Sequence, residues 1–222
     1  MWKDILSLFK GESLCEEAYD EALLMLKTSH GMYKDAVASL HETGPMATDV
    51  FKRDRQINKY ERDVRRKIVT HMSVSAKPDI NMGLVLTAIV IDIERIGDYA
   101  KNIAELAASL DTAFDGRDLA DDIDRVEGMI DGIFEDLISA LDESDEDRAR
   151  HVMETHQQAG VILENGITLL REGKILSDDS GHAATLTLYL RFLKRMSAHL
   201  KNVATSVVNP YYRIGYREKR SD

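Results

Sequence analysis

Cysteine, proline and long apolar runs are all scarce in this sequence. Of its 222 residues, one is a cysteine, Cys15, and three are prolines. A single cysteine excludes a disulfide within the chain and agrees with a reducing compartment. No apolar run reaches the roughly 18 residues that a membrane-spanning helix needs, and the opening MWKDILSLFK lacks the continuous apolar stretch of a secretion signal. We therefore expect a cytoplasmic protein that does not itself cross a membrane.

Basic stripes are also missing, and the overall charge is acidic. The net charge is −10, and residues 111–147 hold 15 acidic residues against Arg117 and Arg125, a local charge of −13. Proteins that bind nucleic acid usually present clustered Lys and Arg to the phosphates. We therefore predict no nucleic-acid partner.

The motifs of common enzyme classes are absent too. The sequence has no Cys-x-x-Cys, no glycine-rich phosphate loop, no Gly-x-Ser-x-Gly and no Glu-x-x-His pair of the ferritin-like iron sites. His156 and His199 fall near the repeat equivalents of the acidic stripes described below, either as partial substitutes for carboxylates or as ordinary polar side chains. We predict a protein without enzymatic activity.

The main pattern in the sequence is the spacing of apolar residues that is typical of α-helices. Prolines 45, 78 and 210 and short polar stretches divide the chain into six segments whose apolar residues recur with a period near 3.6. The predicted helices cover residues 14–42, 47–72, 80–110, 119–141, 146–171 and 182–208. Ser144 and Asp147 predict a capping box at the start of the fifth helix. With no sustained strand alternation, the fold class is all-α.

An internal repeat suggests how the six helices are arranged. A shift of 100 residues places 93–104 on 193–204, with identical Arg, Lys, Asn and Ala at positions 95, 101, 102 and 104 of the first copy. The match falls in the third helix of each half. We predict two tandem three-helix repeats, residues 1–112 and 113–222, forming an elongated six-helix bundle.

Two stripes of carboxylate and amide side chains form the candidate site. Positions i, i+4 and i+7 share one face of a helix, and oxygen ligands from two adjacent helices could surround a divalent or iron-type cation. The alternative is that both stripes face water, paired with neighbouring Arg and Lys. Glu105 extends the second stripe. The candidate metal ligands are Asp54, Asn58, Glu61, Glu94, Asp98 and Asn102.

The two ends of the chain carry features of their own. Trp2, Ile5, Leu6 and Phe9 would lie on one face of a short helix, which would dock on a partner or membrane surface or pack on its own bundle. The tail after Pro210, rich in Tyr and Arg, is either a solvated end or a contact segment.

Residues 92–105 resemble the PhoU family of phosphate-transport and phosphate-signalling regulators. The stretch at 94–104 reads Glu-Arg-Ile-Gly-Asp-Tyr-Ala-Lys-Asn-Ile-Ala, and residues 54–61, Asp-Arg-Gln-Ile-Asn-Lys-Tyr-Glu, are similar to that family's second-helix motif. Asn58 stands where the family often has Asp. The resemblance extends over nearly the whole chain, since six helices in two three-helix repeats is also the family's fold.

This resemblance implies a cytoplasmic, non-enzymatic regulator of phosphate transport and phosphate-starvation signalling. The implied partners are a phosphate transporter subunit and a membrane histidine kinase, with membrane association through these partners; a homo-oligomer is left open. It also implies metal ions on the acidic faces, one per repeat. Two alternatives remain: an accessory protein of a sodium-phosphate or other permease, and a metal-dependent helical-bundle enzyme.

The second repeat departs from the family pattern. Lys194 and Ala198 stand at the equivalents of Glu94 and Asp98, and Ser197 replaces Gly97. A lysine places a cation where a metal ligand would stand. We therefore expect an ion site in the first repeat and none at the equivalent position of the sixth helix.

Overall fold

The computed structural model describes residues 14–42, 49–175 and 180–218. Within these ranges the chain forms six α-helices, two short 3-10 helices and no strand, so the all-α prediction is confirmed. The 3-10 helices are Arg117–Leu119 and Tyr211–Arg213. The α-helices are α1 Leu14–His41, α2 Val50–Val74, α3 Ile80–Ala108, α4 Ala120–Glu143, α5 Glu146–Arg171 and α6 Ser180–Val208. In the described part of the chain, no helix is both long and apolar enough to cross a membrane.

The helices pack in two groups of three. Helices α1, α2 and α3 contact one another, and so do α4, α5 and α6. The two groups join mainly where α3 packs on α6 and where α1 packs on α4. The junction therefore pairs helices that are equivalent under the 100-residue shift. The division of the chain at residues 112 and 113 stays a prediction.

One continuous apolar core runs through both groups. On α3, Ile89, Ile93 and Ile96 are fully or almost fully buried, and Leu193 and Met196 are buried on α6. Burying such a side chain contributes about 1.5–3 kcal/mol relative to leaving it exposed. The 3.6-residue spacing of the apolar positions thus fixes which face of each long helix points inward.

Gly97 lies at a close contact between α3 and α2. A glycine inside a helix either permits a close helix contact or is a tolerated surface residue, at a cost of about 1 kcal/mol against alanine. Gly97 is buried, and a Cβ added there would lie 2.8 Å from Cδ1 of Ile57. At the equivalent position of α6, Ser197 is also buried and its hydroxyl is 2.8 Å from Nδ1 of His156 on α5. Both positions therefore serve the contact between the second and third helices of a group.

The predicted capping box at Ser144 and Asp147 is wrong. Ser144 ends α4 in the left-handed conformation, with φ of 54°. Asp145 caps α5 instead, because its carboxylate accepts from the backbone N–H groups of Asp147 at 3.0 Å and Arg148 at 3.1 Å. An aspartate directly after the αL residue satisfies two free donors of the new helix.

Polar contacts link the two helix groups within the apolar junction. On α6, Nδ1 of His199 donates to Asp92 Oδ1 at 2.6 Å, and the Asn202 amide donates to the same oxygen at 3.1 Å. The Tyr19 hydroxyl of α1 donates to the Leu141 carbonyl of α4 at 2.5 Å. Because buried polar groups must be paired, these contacts favour one register of the two groups.

The described part of the tail packs back on α6. The Asn209 amide donates to the carbonyls of Arg213 and Tyr216, and Lys201 Nζ donates to the Gly215 carbonyl at 2.5 Å. These bonds favour a docked segment over a solvated end for residues 210–218. The predicted amphipathic segment at residues 2–9 and the last four residues lie outside the described residues.

Candidate functional site

Helices α2 and α3 bring the predicted ligands together on one surface, the acidic face, formed by Asp54, Asn58, Glu61, Glu94, Asp98 and Asn102. Lys101 Nζ lies between the two helices, 3.0 Å from Asp54 Oδ1 and 2.9 Å from Asp98 Oδ1. Asp54 and Glu94 are only 14% and 15% exposed. The stripes therefore face each other across a shielded seam rather than pointing freely into water.

The remaining members of the acidic face occupy its edges. The Asn58 amide donates to Asp54 Oδ2 at 3.4 Å, and Glu61 pairs with Arg65 at 2.7 Å. Asn102 is half-buried on α3, whereas Glu105 is exposed. Glu105 therefore lies at the solvent end of the stripe.

Burial and neighbouring charges shift the pKa values of two groups on this face. Burial raises the pKa of the Glu94 carboxyl above its ordinary value, and the charges of Asp98 and Glu61 raise it further, against the opposing effect of Arg95. Burial lowers the pKa of Lys101, but the hydrogen bonds to Asp98 and Asp54 outweigh it and raise the pKa above its ordinary value. The face thus holds more negative charge than one lysine neutralises.

The oxygen donors of this face suit a hard cation. Carboxylates and amides on two helices are the ligand types that Mg²⁺, Ca²⁺ and Mn²⁺ prefer. A cation between Asp54 and Asp98 would take the position that the Lys101 ammonium now holds. The residues present therefore fit a metal ion, provided that Lys101 moves aside.

The equivalent surface of the second group has lost most of its carboxylates. Lys194 pairs with Glu164 of α5, and Lys201 contacts Asn202 and the tail carbonyl of Gly215 instead of two carboxylates. Ala198 supplies no ligand atom. The second face thus keeps the carboxylate of Glu154 at the equivalent of Asp54 but loses those of Glu94 and Asp98.

A second grouping of possible ligands escaped the sequence analysis. His41 at the end of α1 and Asp124 and Glu127 of α4 place three ligand atoms within 4.8 Å of one another. His41 Nε2 donates to Glu127 Oε1 at 2.9 Å, and the Tyr189 hydroxyl donates to the same oxygen at 2.5 Å. The hydrogen bond that His41 donates to Glu127 raises the pKa of His41, with burial acting against it. Since His41 and Glu127 are 86 residues apart, no local spacing could have shown this group.

The fold and the acidic face together define an all-α protein with two groups of three helices and a cation-compatible seam in the first. Residues 22–107, which include this seam, match the family model of the PhoU domain. The resemblance found in the sequence is thereby confirmed for residues 22–107, which are similar to the PhoU domain.

Two similar proteins align with this chain over most of its length and over most of their own length. One is a phosphate-specific transport system accessory protein PhoU homolog of Clostridium acetobutylicum, 23% identical over 204 residues, which are 89% of this chain and 92% of that protein. The homolog of the same name from Pseudomonas putida is 27% identical over 200 residues, 87% and 77% of the two chains.

Solved structures show the same fold. The crystal structure of PhoU from Pseudomonas aeruginosa superposes with a TM-score of 0.79 at 22% identity, covering 88% of this chain and 95% of the other. The phosphate transport system regulatory protein PhoU from Streptococcus pneumoniae gives 0.73 at 14% identity, covering 87% and 93%.

Proposed function

We propose that this chain is a non-enzymatic regulator of phosphate transport and phosphate-starvation signalling, acting by binding a membrane transporter, its sensor histidine kinase, or both. The PhoU domain over residues 22–107 carries this proposal, supported by relatives named as accessory proteins of a phosphate-specific transport system. Long helices supply the rigid faces that such binding needs.

We further propose that the acidic face holds a divalent or iron-type cation. Asp54, Glu61, Glu94 and Asp98 would hold it, with the amide oxygens of Asn58 and Asn102 nearby. A bound cation would supply positive charge and open coordination positions for oxygens of a partner. Displaced from its two carboxylates, Lys101 would become free to contact the partner as well.

Two alternatives share the fold. The chain could instead serve a sodium-phosphate or other permease, or act as a metal-dependent helical-bundle enzyme. Expression of phosphate-starvation genes distinguishes the first alternative, because an accessory protein of another permease does not act on the signalling of the phosphate-specific system. Turnover of a phosphate ester by the metal-loaded protein would favour the second.

A deletion strain tests the proposal. We expect higher uptake of labelled phosphate and expression of phosphate-starvation genes in phosphate-rich medium, both reversed by the wild-type gene. Complementation with Asp98→Ala tests the acidic face, and Glu154→Ala on the exposed surface of α5 is the matched control. Normal uptake and normal starvation-gene expression in the deletion strain would contradict the regulatory role.

A further inference from the structure

Helices α5 and α6 and the tail enclose an open groove of about 620 Å³. We name it the basic groove. Arg191, Lys194 and Arg195 fall on one face of α6, because positions i, i+3 and i+4 lie together, and Arg217 reaches the groove from the tail. Cations from two separate parts of the chain therefore converge on one space.

Small side chains keep the middle of this groove open. Gly160 of α5 and Ala198 of α6 both line it, and a Cβ added at Gly160 would meet no atom within 4 Å. Under the 100-residue shift, Gly160 and Ala198 stand where the first group has Tyr60 and Asp98. The second group thus has smaller side chains than the first at two positions that line the groove.

The positive charge in the groove is mostly unneutralised. Glu164 is its one lining carboxylate among the described residues, and it pairs with Lys194. Within residues 14–42, 49–175 and 180–218, Arg191, Arg195 and Arg217 make no ion pair. On the acidic face, by contrast, Lys101 and Arg95 both pair with carboxylates.

Two of the groove's donors are held in place. The Arg195 Nε donates to the Tyr99 hydroxyl at 3.4 Å, across the junction of the two helix groups. His156 lines the groove from α5 with its Nδ1 hydrogen-bonded to Ser197. When the Ser197 hydroxyl donates this bond, Nε2 of His156 carries the ring proton and can donate to a ligand. Held donors lose less freedom when they bind a ligand, so their contacts contribute more to affinity.

We propose that the basic groove is a binding site for a phosphate oxyanion, either inorganic phosphate or a chain of linked phosphates. Three arginines favour this ligand, because the planar guanidinium forms paired hydrogen bonds with phosphate oxygens. The groove stands apart from the acidic face and from any metal bound there, and the proposal does not depend on the proposed function.

Calorimetric titration of the purified full chain tests the site, with inorganic phosphate, tripolyphosphate and a hexaglutamate peptide as probes. We expect at least one phosphate probe to bind more tightly than the peptide. Tighter binding of tripolyphosphate identifies linked phosphates as the ligand, and tighter binding of inorganic phosphate identifies the free ion. Affinity should also fall as salt rises, since the contacts are ionic.

Substitutions that each remove one positive charge test whether phosphate binds in the basic groove. Arg191→Gln and Arg217→Gln should each weaken phosphate binding about tenfold, since each removes a charge-assisted contact. Arg125→Gln on α4 removes the same charge from an exposed position outside the groove and should leave affinity unchanged. Binding of neither phosphate probe, tighter binding of the peptide, or equal losses in all three variants would overturn the proposal.

Discussion

Replacing Lys101 with methionine tests how the acidic face balances its charge. The substitution keeps much of the apolar stem but removes the ammonium that bridges Asp54 and Asp98 at 3.0 and 2.9 Å. Breaking a fully buried ion pair costs about 3–5 kcal/mol. Because Lys101 and Asp98 are 22% and 24% exposed, water screens part of the repulsion, and we expect a loss of about 2 kcal/mol.

The loss should appear as a lower melting temperature and should be reversed by a cation. For a chain of this size, about 2 kcal/mol corresponds to a drop of about 4–8 °C. Adding Mn²⁺ at about 100 times its dissociation constant should restore about 2.7 kcal/mol. The wild type should gain less, because Lys101 competes with the ion for the same two carboxylates.

Lys201→Met is the matched control for this experiment. Lys201 is the repeat equivalent of Lys101, but its ammonium contacts Asn202 and the Gly215 carbonyl. The control should lose stability without regaining it from Mn²⁺. Scanning calorimetry with and without the ion measures both variants. An equal Mn²⁺-dependent gain in the two variants, or none in Lys101→Met, would refute the reasoning.

Three further predictions concern metal content and pH. Asp98→Ala should carry less bound metal than the wild type by elemental analysis, and equal content would remove this site assignment. His41 has a raised pKa in the folded state, so its contribution to stability is present below about pH 6.5 and is lost as pH rises through the folded pKa. Thermal melts should therefore show the wild type losing stability relative to His41→Gln in that range; parallel curves would contradict this. Burial, with a smaller effect of Lys201, lowers the pKa of His156 to about 4. Acidification from about pH 6.5 to 4 should therefore destabilise the wild type by up to about 3 kcal/mol relative to His156→Gln. An unchanged stability difference between the two proteins would show that His156 titrates normally.

The helices and the acidic face were predictable because their signals are local. Prolines and 3.6-residue spacing gave the helix limits to within a few residues, and the i, i+4, i+7 pattern placed Asp54, Asn58 and Glu61 on one face. That this face meets Glu94 and Asp98 followed from the packing of adjacent helices. The alternative interpretation paired the stripes with neighbouring Arg and Lys, and Lys101 does pair with Asp54 and Asp98. Local spacing did not show that this lysine bridges the two helices.

Contacts between residues far apart in the sequence could not be predicted from local patterns. Arg217 joins the basic groove only because the tail folds back on α6 through Asn209 and Lys201. Arg191, Lys194 and Arg195 form a local basic group on α6 that the sequence analysis did not single out, and only the fold adds Arg217 to it. Repeat alignment did supply one useful signal, the change from Glu94 to Lys194, which marks the loss of carboxylates from the second face.

Co-purification from native membranes tests the regulatory account most directly. The tagged full chain, expressed at its natural level and crosslinked in phosphate-rich medium, should recover a phosphate transporter subunit or its sensor kinase, identified by mass spectrometry. Asp98→Ala should recover less of that partner, whereas Glu154→Ala should recover as much as the wild type. Recovery of neither partner by the wild-type protein would contradict the account.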